Sequence, residues 1–438
     1  MNRLVSGVLW LLLYLAVVTL PLLLMLVPPV PTGRGFWLEL SVALGFVGLT
    51  QIVLQLVLIS RFKSLSAPYG IDIILRFHRQ IALVAIAFIL IHPVLIIVDT
   101  PARVKLLNPL GGTWASRTAW ISLFCLAGLA VTSLFRLRLG LTYERWRLLH
   151  LILAGGAIIF ALLHVVMAGL YTNTLWKHAV WVLPGGALVL LVLYTRLIKP
   201  GFFPDSVWRV AEVRPERGNC VTLVLEPDGH EGMSFAPGQF VWITLGDRKI
   251  TMQENPFSIR SSAARPARLE FGIKKMGDFT ENLPHVKPGT RAVLQGPHGA
   301  FSIDRYPAVG YVFIAGGIGV TPLMSFLHTM ADRRDPRPVI LVYADKTLED
   351  MAFQEELAEL ESRLDLEVVY VPEKAGEDWQ GETGFVTWDI LERHVPKDLI
   401  HREFFLCGPG PMMASLHKAL KAAGVHQDHI HLELFELV

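Results

Sequence analysis

Cysteine is scarce: Cys125, Cys220 and Cys407 are the three in 438 residues. They are too few and too scattered for a disulfide framework, a zinc ribbon or an iron-sulfur cluster. The Cys-x-x-Cys-His pattern of covalent haem attachment is missing as well, so any haem here is held without thioether bonds. Charge of one sign is also missing. Forty basic residues against 38 acidic ones leave a net charge of +2, and no basic run interleaved with aromatics occurs, which excludes a nucleic-acid partner. Within the long apolar stretches the only acidic residue is Glu39, close to an end. No calcium-binding loop or proline-rich docking segment is found, which predicts activity without an obligatory cytosolic activator.

Apolar residues make up 52% of the chain and crowd its first 200 positions. Six runs stand out, near 4–27, 36–60, 77–98, 118–135, 148–171 and 179–198. Each is close to the ~20 residues that a helix needs to cross hydrocarbon. The first is long, interrupted by Pro21 and without a small-residue cleavage pattern, so it reads as a retained span rather than a signal peptide. Eleven basic residues (Arg3, Arg61, Lys63, Arg76, Arg79, Arg136, Arg138, Arg145, Arg147, Arg196 and Lys199) fall on one side of these spans. Five fall on the other: Arg34, Arg103, Lys105, Arg117 and Lys177. That excess predicts an integral, multi-pass cell-membrane protein with both termini and everything after residue 200 in the cytoplasm.

Histidines interrupt the third and fifth spans at one interval. His78 and His92 are 14 apart, as are His150 and His164. Fourteen residues make just under four helical turns, which keeps two rings near one face and about 21 Å apart along the axis. Ionisable groups in lipid are costly and mark function. Pairing His78 with His150, and His92 with His164, gives two bis-imidazole sites at two depths, suited to two b-type haems. A divalent-ion transporter would recruit carboxylates to balance its cargo's charge. Pro93, directly after His92, bends or ends the third helix, and His178 in a short outer connection receives no role.

Beyond Lys199-Pro200-Gly201 the pattern changes to short strands punctuated by Gly and Pro. "CVTLVLEP", "GQFVWITLG", "RLEFGIKK" and "TRAVLQGPHGAF" predict an antiparallel β-barrel in residues 201–306. From residue 307 to 438, strand, glycine turn and helix alternate, which predicts a parallel α/β nucleotide-binding domain. The fold class is therefore a multi-domain membrane protein: a six-helix transmembrane di-haem bundle in 1–200, an antiparallel β-barrel in 201–306, then an α/β domain in 307–438. "AGGIGVTP" (315–322) follows an apolar strand and opens a helix, where glycines let amides approach a pyrophosphate. Its companions are "NPFSIRS" (255–261), "GDFTENL" (277–283), "GPHGAF" (296–301), "CGPGPMM" (407–413) and "HLELFELV" (431–438).

With these motifs in this order, the carboxy-terminal half resembles the ferredoxin-NADP reductase family. The complete chain resembles the ferric reductase and NADPH oxidase superfamily, in which a six-helix di-haem domain is fused to such a reductase. The resemblance implies FAD, two haem b and NADPH (or NADH) as cofactors. Flavin contacts fall to Asn255, Pro256, Phe257, Ser258 and Ile259, with the Ser258 hydroxyl near the flavin N5. Arg260, Gly277, Asp278, Phe279 and Thr280 hold the FAD pyrophosphate region. Gly316, Gly317, Gly319, Thr321 and Pro322 line the nicotinamide nucleotide, and Cys407, Gly408 and Pro409 lie beside the nicotinamide. Phe435 matches a carboxy-terminal aromatic that stacks on the isoalloxazine, so Ser258, Cys407 and Phe435 are the implied catalytic positions. Two departures are visible: Asn255 stands where oxidases have histidine, and three residues follow Phe435. At the nucleotide's 2′ end, Lys346 suits a 2′-phosphate and Asp345 a free ribose hydroxyl; the balance leans to NADPH.

The implied activity carries electrons from NAD(P)H through FAD and two haems to a small-molecule acceptor on the outer side, foremost dioxygen giving superoxide. With both axial positions of each iron filled, reduction there is outer-sphere. The alternatives are reduction of a ferric chelate by the same chain, delivery to a periplasmic partner protein, or a histidine-lined metal transporter with an accessory reductase domain. Arg103 and Arg117, in an outer connection, suit an anionic product or a haem propionate.

Overall fold

In the computed structural model the described residues are 3–31, 34–60, 71–109, 112–198, 206–246, 254–395 and 401–434. They form two compact units, and the chain passes from the first to the second between Ile198 and Ser206.

The first unit contains the helices α1 (Arg3–Met25), α2 (Phe36–Ile59), α3 (Ile71–Asp99), α4 (Trp114–Leu134), α5 (Tyr143–Ala168) and α6 (Leu175–Leu193). All six are long and apolar enough to cross a membrane. Large apolar side chains such as Leu11, Leu23, Leu83, Leu90 and Leu190 point outward, as a lipid-facing surface requires. α3 and α5 begin earlier than the apolar runs predict, because Arg76, Arg79, Arg145 and Arg147 prolong a span without breaking it: their long stems stay apolar while the charged heads reach water. Pro93 does not end α3, which continues to Asp99. α4 and α5 pack along their length, pinned where the Ser122 hydroxyl donates to the Ala157 carbonyl at 2.8 Å. α3 stands apart and approaches the other spans only at isolated points. Lys177 is fully buried, its ammonium donating to the carbonyls of Met25 (3.1 Å) and Pro29 (2.8 Å). A cation there satisfies free carbonyls at the carboxy end of α1 and complements the helix dipole.

The second unit holds two sheets. β1 (Ser206–Glu216), β2 (Cys220–Pro227), β3 (Phe240–Leu245), β4 (Asn255–Ser258), β5 (Leu269–Lys274) and β6 (Arg291–His298) form a curled antiparallel sheet in the order β4-β3-β6-β1-β2-β5. The expected barrel is thus a half-barrel. The chain just past β4 is tied to β5, the other edge strand, where the Arg260 amide donates to the Glu270 carbonyl (2.7 Å) and the Ser261 hydroxyl accepts from the Glu270 amide (3.1 Å). Inside the curl lie Trp208, Leu223, Val241, Phe271 and Leu294. A short helix, α7 (Asp278–Asn282), follows β5.

β7 (Tyr311–Gly316), β8 (Val339–Asp345), β9 (Leu366–Pro372), β10 (Glu403–Cys407) and β11 (Ile430–Glu433) form a parallel sheet in the order β11-β10-β7-β8-β9. The helices α8 (Val320–Arg333), α9 (Gln354–Glu361), α10 (Trp388–His394) and α11 (Gly410–Ala422) complete it. Alternate residues of β7 serve opposite cores: Tyr311, Phe313 and Ala315 on one face, Val312 and Ile314 on the other. That double burial explains its unbroken apolar run. The turn after β7 lies against β10 so closely that a Cβ on Gly319 would sit 2.2 Å from the Cys407 carbonyl oxygen.

One ion cluster ties the half-barrel to the α/β layer. Arg260 is 1% exposed, pairs with both Glu270 of β5 and Glu356 of α9, and lies over the Phe353 ring. His328 of α8 adds a contact to Glu356 at 3.0 Å. Burial pushes the Glu356 carboxyl up, but the His328 hydrogen bond and the Arg260 charge outweigh it and bring it to about 2. A carboxylate held below its ordinary range stabilises the fold above the unfolded pKa and loses that contribution as pH falls through the folded one. Thermal unfolding of the purified chain should therefore show Tm falling between about pH 5 and pH 2, with a flatter profile in Glu356→Gln. Arg260→Ala removes the buried partner that the two carboxylates share, leaving Glu270 with Arg214 and Arg268 and Glu356 with His328, and should cost ~1.5–3 kcal/mol. Gly319→Ala should cost about 1–3 kcal/mol by overpacking, read by the same melts.

Candidate functional site

In the membrane-type unit the four expected histidines face one another in pairs. The ring centres of His78 (α3) and His150 (α5) are 6.5 Å apart and those of His92 and His164 are 6.4 Å apart. A metal-nitrogen bond of about 2.0 Å, with the ring centre about 1.2 Å behind the nitrogen, puts two imidazoles that share one metal about 6.4 Å apart. Both pairs have that spacing. Among the described residues no group of three or more His, Cys, Asp or Glu is arranged to hold a metal ion. Two imidazoles alone leave most of a metal's coordination to another group.

The backs of three of the four rings are tied to a neighbouring span. His92 Nδ1 donates to the Ser41 carbonyl at 2.8 Å, and the Ser41 hydroxyl lies 2.9 Å from the same nitrogen and donates to the His92 carbonyl at 2.7 Å. His164 Nδ1 donates to the Ala115 carbonyl at 2.8 Å. His150 Nδ1 lies 3.2 Å from the Ser133 hydroxyl, which also accepts from the Trp146 indole. A proton fixed on Nδ1 leaves the Nε2 lone pair free for a metal. Gly45 makes room for this: a Cβ there would meet the His92 ring at 3.1 Å. Ser41, Ser133, Ala115 and Gly45 were not singled out from sequence. The two hydroxyls in apolar runs were a usable signal, whereas Ala115 acts through its carbonyl and carries none.

In the second unit, sequence-distant motifs converge. Asn255, Pro256, Phe257 and Ser258 are β4, paired with β3 so that Ser258 faces Phe240 and Phe257 faces Val241. Phe257 stacks on Phe279, with centroids 6.0 Å apart and planes at 20°. Thr280 closes the turn after β5: its hydroxyl accepts from the amides of Met276 (2.9 Å) and Gly277 (3.1 Å) and donates to the Gly277 carbonyl (2.9 Å). Asp278 is exposed on this turn and Ser258 is buried. Ile259 is in the half-barrel core. Arg260 departs from expectation: its guanidinium is committed to Glu270 and Glu356 instead of facing a phosphate, because two carboxylates converge on it in a buried setting.

The glycine turn and "CGP" also come together. β7 and β10 are neighbours, with Ala315 opposite Cys407. A Cβ on Gly316 would meet Pro409 at 2.7 Å and Gly408 at 3.3 Å. Gly317 has φ +56°, the left-handed region that glycine enters freely. Thr321 opens α8 and donates to the carbonyls of Ile318 (2.9 Å) and, on β5, Gly272 (3.3 Å). Pro322 sits in the first turn of α8, where a missing N–H costs nothing. The Cys407 thiol lies in the core, and burial pushes it far up, so it stays protonated. Asp345, 7% exposed, accepts from the Lys346 amide at 2.8 Å and lies 3.8 Å from the Lys274 ammonium; burial raises its pKa. The Lys346 side chain is exposed. Phe435 lies outside the described residues.

Comparison with known proteins divides the chain in the same way. Residues 44–161 match the model of the ferric reductase like transmembrane component, 207–299 that of an FAD-binding domain, and 313–418 that of the oxidoreductase NAD-binding domain. The glycine betaine monooxygenase reductase subunit of Chromohalobacter salexigens is 34% identical over 235 residues, 52% of this chain and 63% of that protein. The propane 2-monooxygenase reductase component of Mycolicibacterium smegmatis is 30% identical over 240 residues, 53% of this chain and 68% of that protein. The chain thus spans less than two thirds of the glycine betaine enzyme's subunit. The flavohem-like FAD/NAD binding domain of nitric oxide dioxygenase from Vibrio cholerae superposes with a TM-score of 0.48 at 24% identity, covering 53% of this chain and 99% of that one. With flavin- and nicotinamide-binding domains of the ferredoxin-NADP reductase type following a ferric reductase like membrane component, this chain is an oxidoreductase of ferric reductase/NADPH oxidase-like architecture.

Proposed function

We propose that the protein carries electrons from cytoplasmic NAD(P)H across the membrane to a small-molecule acceptor on the outer side, with dioxygen reduced to superoxide. The observation that carries this reading is the spacing of the two histidine pairs, each suited to one metal held between two imidazoles. His78 with His150 and His92 with His164 would hold two b-type haems, the first pair toward the cytoplasm. When bound, FAD accepts a hydride and releases electrons singly, and haem iron relays them one at a time.

The chain's own part is to orient and insulate. The Ser41 and Ala115 carbonyls fix the tautomers of His92 and His164, the Ser133 hydroxyl meets Nδ1 of His150, and the apolar spans exclude water around the rings. Asn255 to Ile259, with Gly277, Asp278, Phe279 and Thr280, hold the flavin. The Phe257–Phe279 stack offers it an aromatic wall, and Ser258 sets a hydroxyl at the end of β4. Gly316, Gly317, Gly319, Thr321 and Pro322 admit the nicotinamide nucleotide close to backbone, beside Gly408 and Pro409. Cys407, protonated and buried, shapes that wall without acting as a nucleophile. Arg260 holds the layers of the reductase half together instead of binding phosphate. The excess of basic residues at the cytoplasmic ends of the spans supports the orientation.

Haem quantified per chain, with a reduced-minus-oxidised spectrum, tests the central claim. Wild-type protein should carry two low-spin haems, and His92→Leu or His164→Leu should keep one and abolish superoxide-dismutase-sensitive cytochrome c reduction. Absence of a Soret band would overturn the reading, and a strong ferrozine signal without superoxide would transfer it to ferric chelates. For the nucleotide, Lys346→Ala should raise the KM for NADPH about tenfold, equivalent to ~1.4 kcal/mol, and leave that for NADH unchanged.

A further inference from the structure

Three of the four histidine rings have a hydrogen-bond partner at Nδ1, supplied by a neighbouring span: the Ser41 carbonyl for His92, the Ala115 carbonyl for His164 and the Ser133 hydroxyl for His150. His78 Nδ1 is buried and has no partner among the described residues. The register of α2 against α3 points to where one belongs. The two helices meet at Ser41 and His92, and seven residues further at Gly48 and Ala85, where a Cβ on the glycine would lie 3.3 Å from the alanine carbonyl. Seven residues make nearly two turns, so each such step returns to the same face at a new depth. One more step along both helices brings Gln55 level with His78. Gln55 is 8% exposed, and both its amide nitrogen and its amide oxygen are buried without a hydrogen-bond partner. Two unsatisfied polar groups, one able to accept and one able to donate, therefore occupy matching positions on facing spans. Buried polar groups are overwhelmingly hydrogen-bonded, and metal-bound histidines almost always donate their second nitrogen.

We infer that Gln55 is the positioning residue of His78, its amide oxygen accepting the Nδ1 proton in the haem-loaded protein as the Ser41 carbonyl does for His92. This rests on the di-haem reading above. The contact makes the His78 imidazole a stronger donor to ferric iron and so sets the potential of the cytoplasmic-side haem separately from the other. Gln51, one turn away on α2, is buried too but faces Tyr14, and serves as the control.

The test is redox titration of the purified, haem-loaded full chain, with haem counted per chain. Gln55→Met conserves volume and removes the acceptor. It should raise the midpoint potential of one haem only and weaken retention of that haem about tenfold or more. Gln55→Glu should restore retention and lower the same potential, and Gln51→Met should change neither haem. In the His92→Leu background, which keeps only the His78–His150 site, the Gln55→Met shift should persist. Unchanged potentials in Gln55→Met, a shift in the other haem, or an equal shift in Gln51→Met would overturn the assignment while leaving the di-haem reading intact. A wild-type chain without haem, or His78→Leu retaining both haems, would instead remove that reading and the role of Gln55 with it.

Discussion

The membrane half turns on a demand that water would otherwise meet: every nitrogen of an imidazole inside an apolar layer needs a partner. The back nitrogen of His92 and of His164 meets a backbone carbonyl, and that of His150 a hydroxyl. The rings themselves lie in pairs, with centres 6.5 and 6.4 Å apart. Helix packing follows from this. α4 and α5 can close on each other, whereas α3 is held off and touches its neighbours at isolated points. A bundle stabilised only by side-chain interdigitation would have no reason to leave one span so loosely packed.

The reductase half is governed by close backbone approach. The end of β7 and the turn after it carry no side chain at Gly316, Gly317 or Gly319, and β10 with "CGP" presses against them, main chain against main chain. Arg260 and Glu356 brace this arrangement from below, and Thr321 reaches from the α/β layer to the Gly272 carbonyl of the half-barrel. The flavin-side and nucleotide-side walls are thereby held in one unit, the geometric condition for direct transfer between their ligands.

Much of this could be read without coordinates. Apolar runs announced six spans because lipid tolerates little else. The shared 14-residue interval announced the histidine pairs because helical periodicity converts spacing into facing. Strand alternation and glycine turns announced the two layers after residue 200. Other features left no local trace. Arg260 followed a flavin-type motif and so invited a phosphate role, but two carboxylates, 10 and 96 residues further along, claim it. Lys177, counted from sequence only among the basic residues of the outer side, is buried on carbonyls of the chain more than a hundred residues earlier.

By itself, then, the order of residues determined composition-driven properties: which segments enter the membrane, which face of each helix carries imidazole, and where backbone must run bare of side chains. Those follow from short-range periodicity and from the chemistry of each residue type. Tertiary structure alone decided who partners whom: Ser41 with His92, Ala115 with His164, Phe257 with Phe279, Arg260 with Glu356. Pairings of that kind depend on the register between elements, and several act through carbonyl oxygens that every residue possesses, so no letter in the chain could announce them.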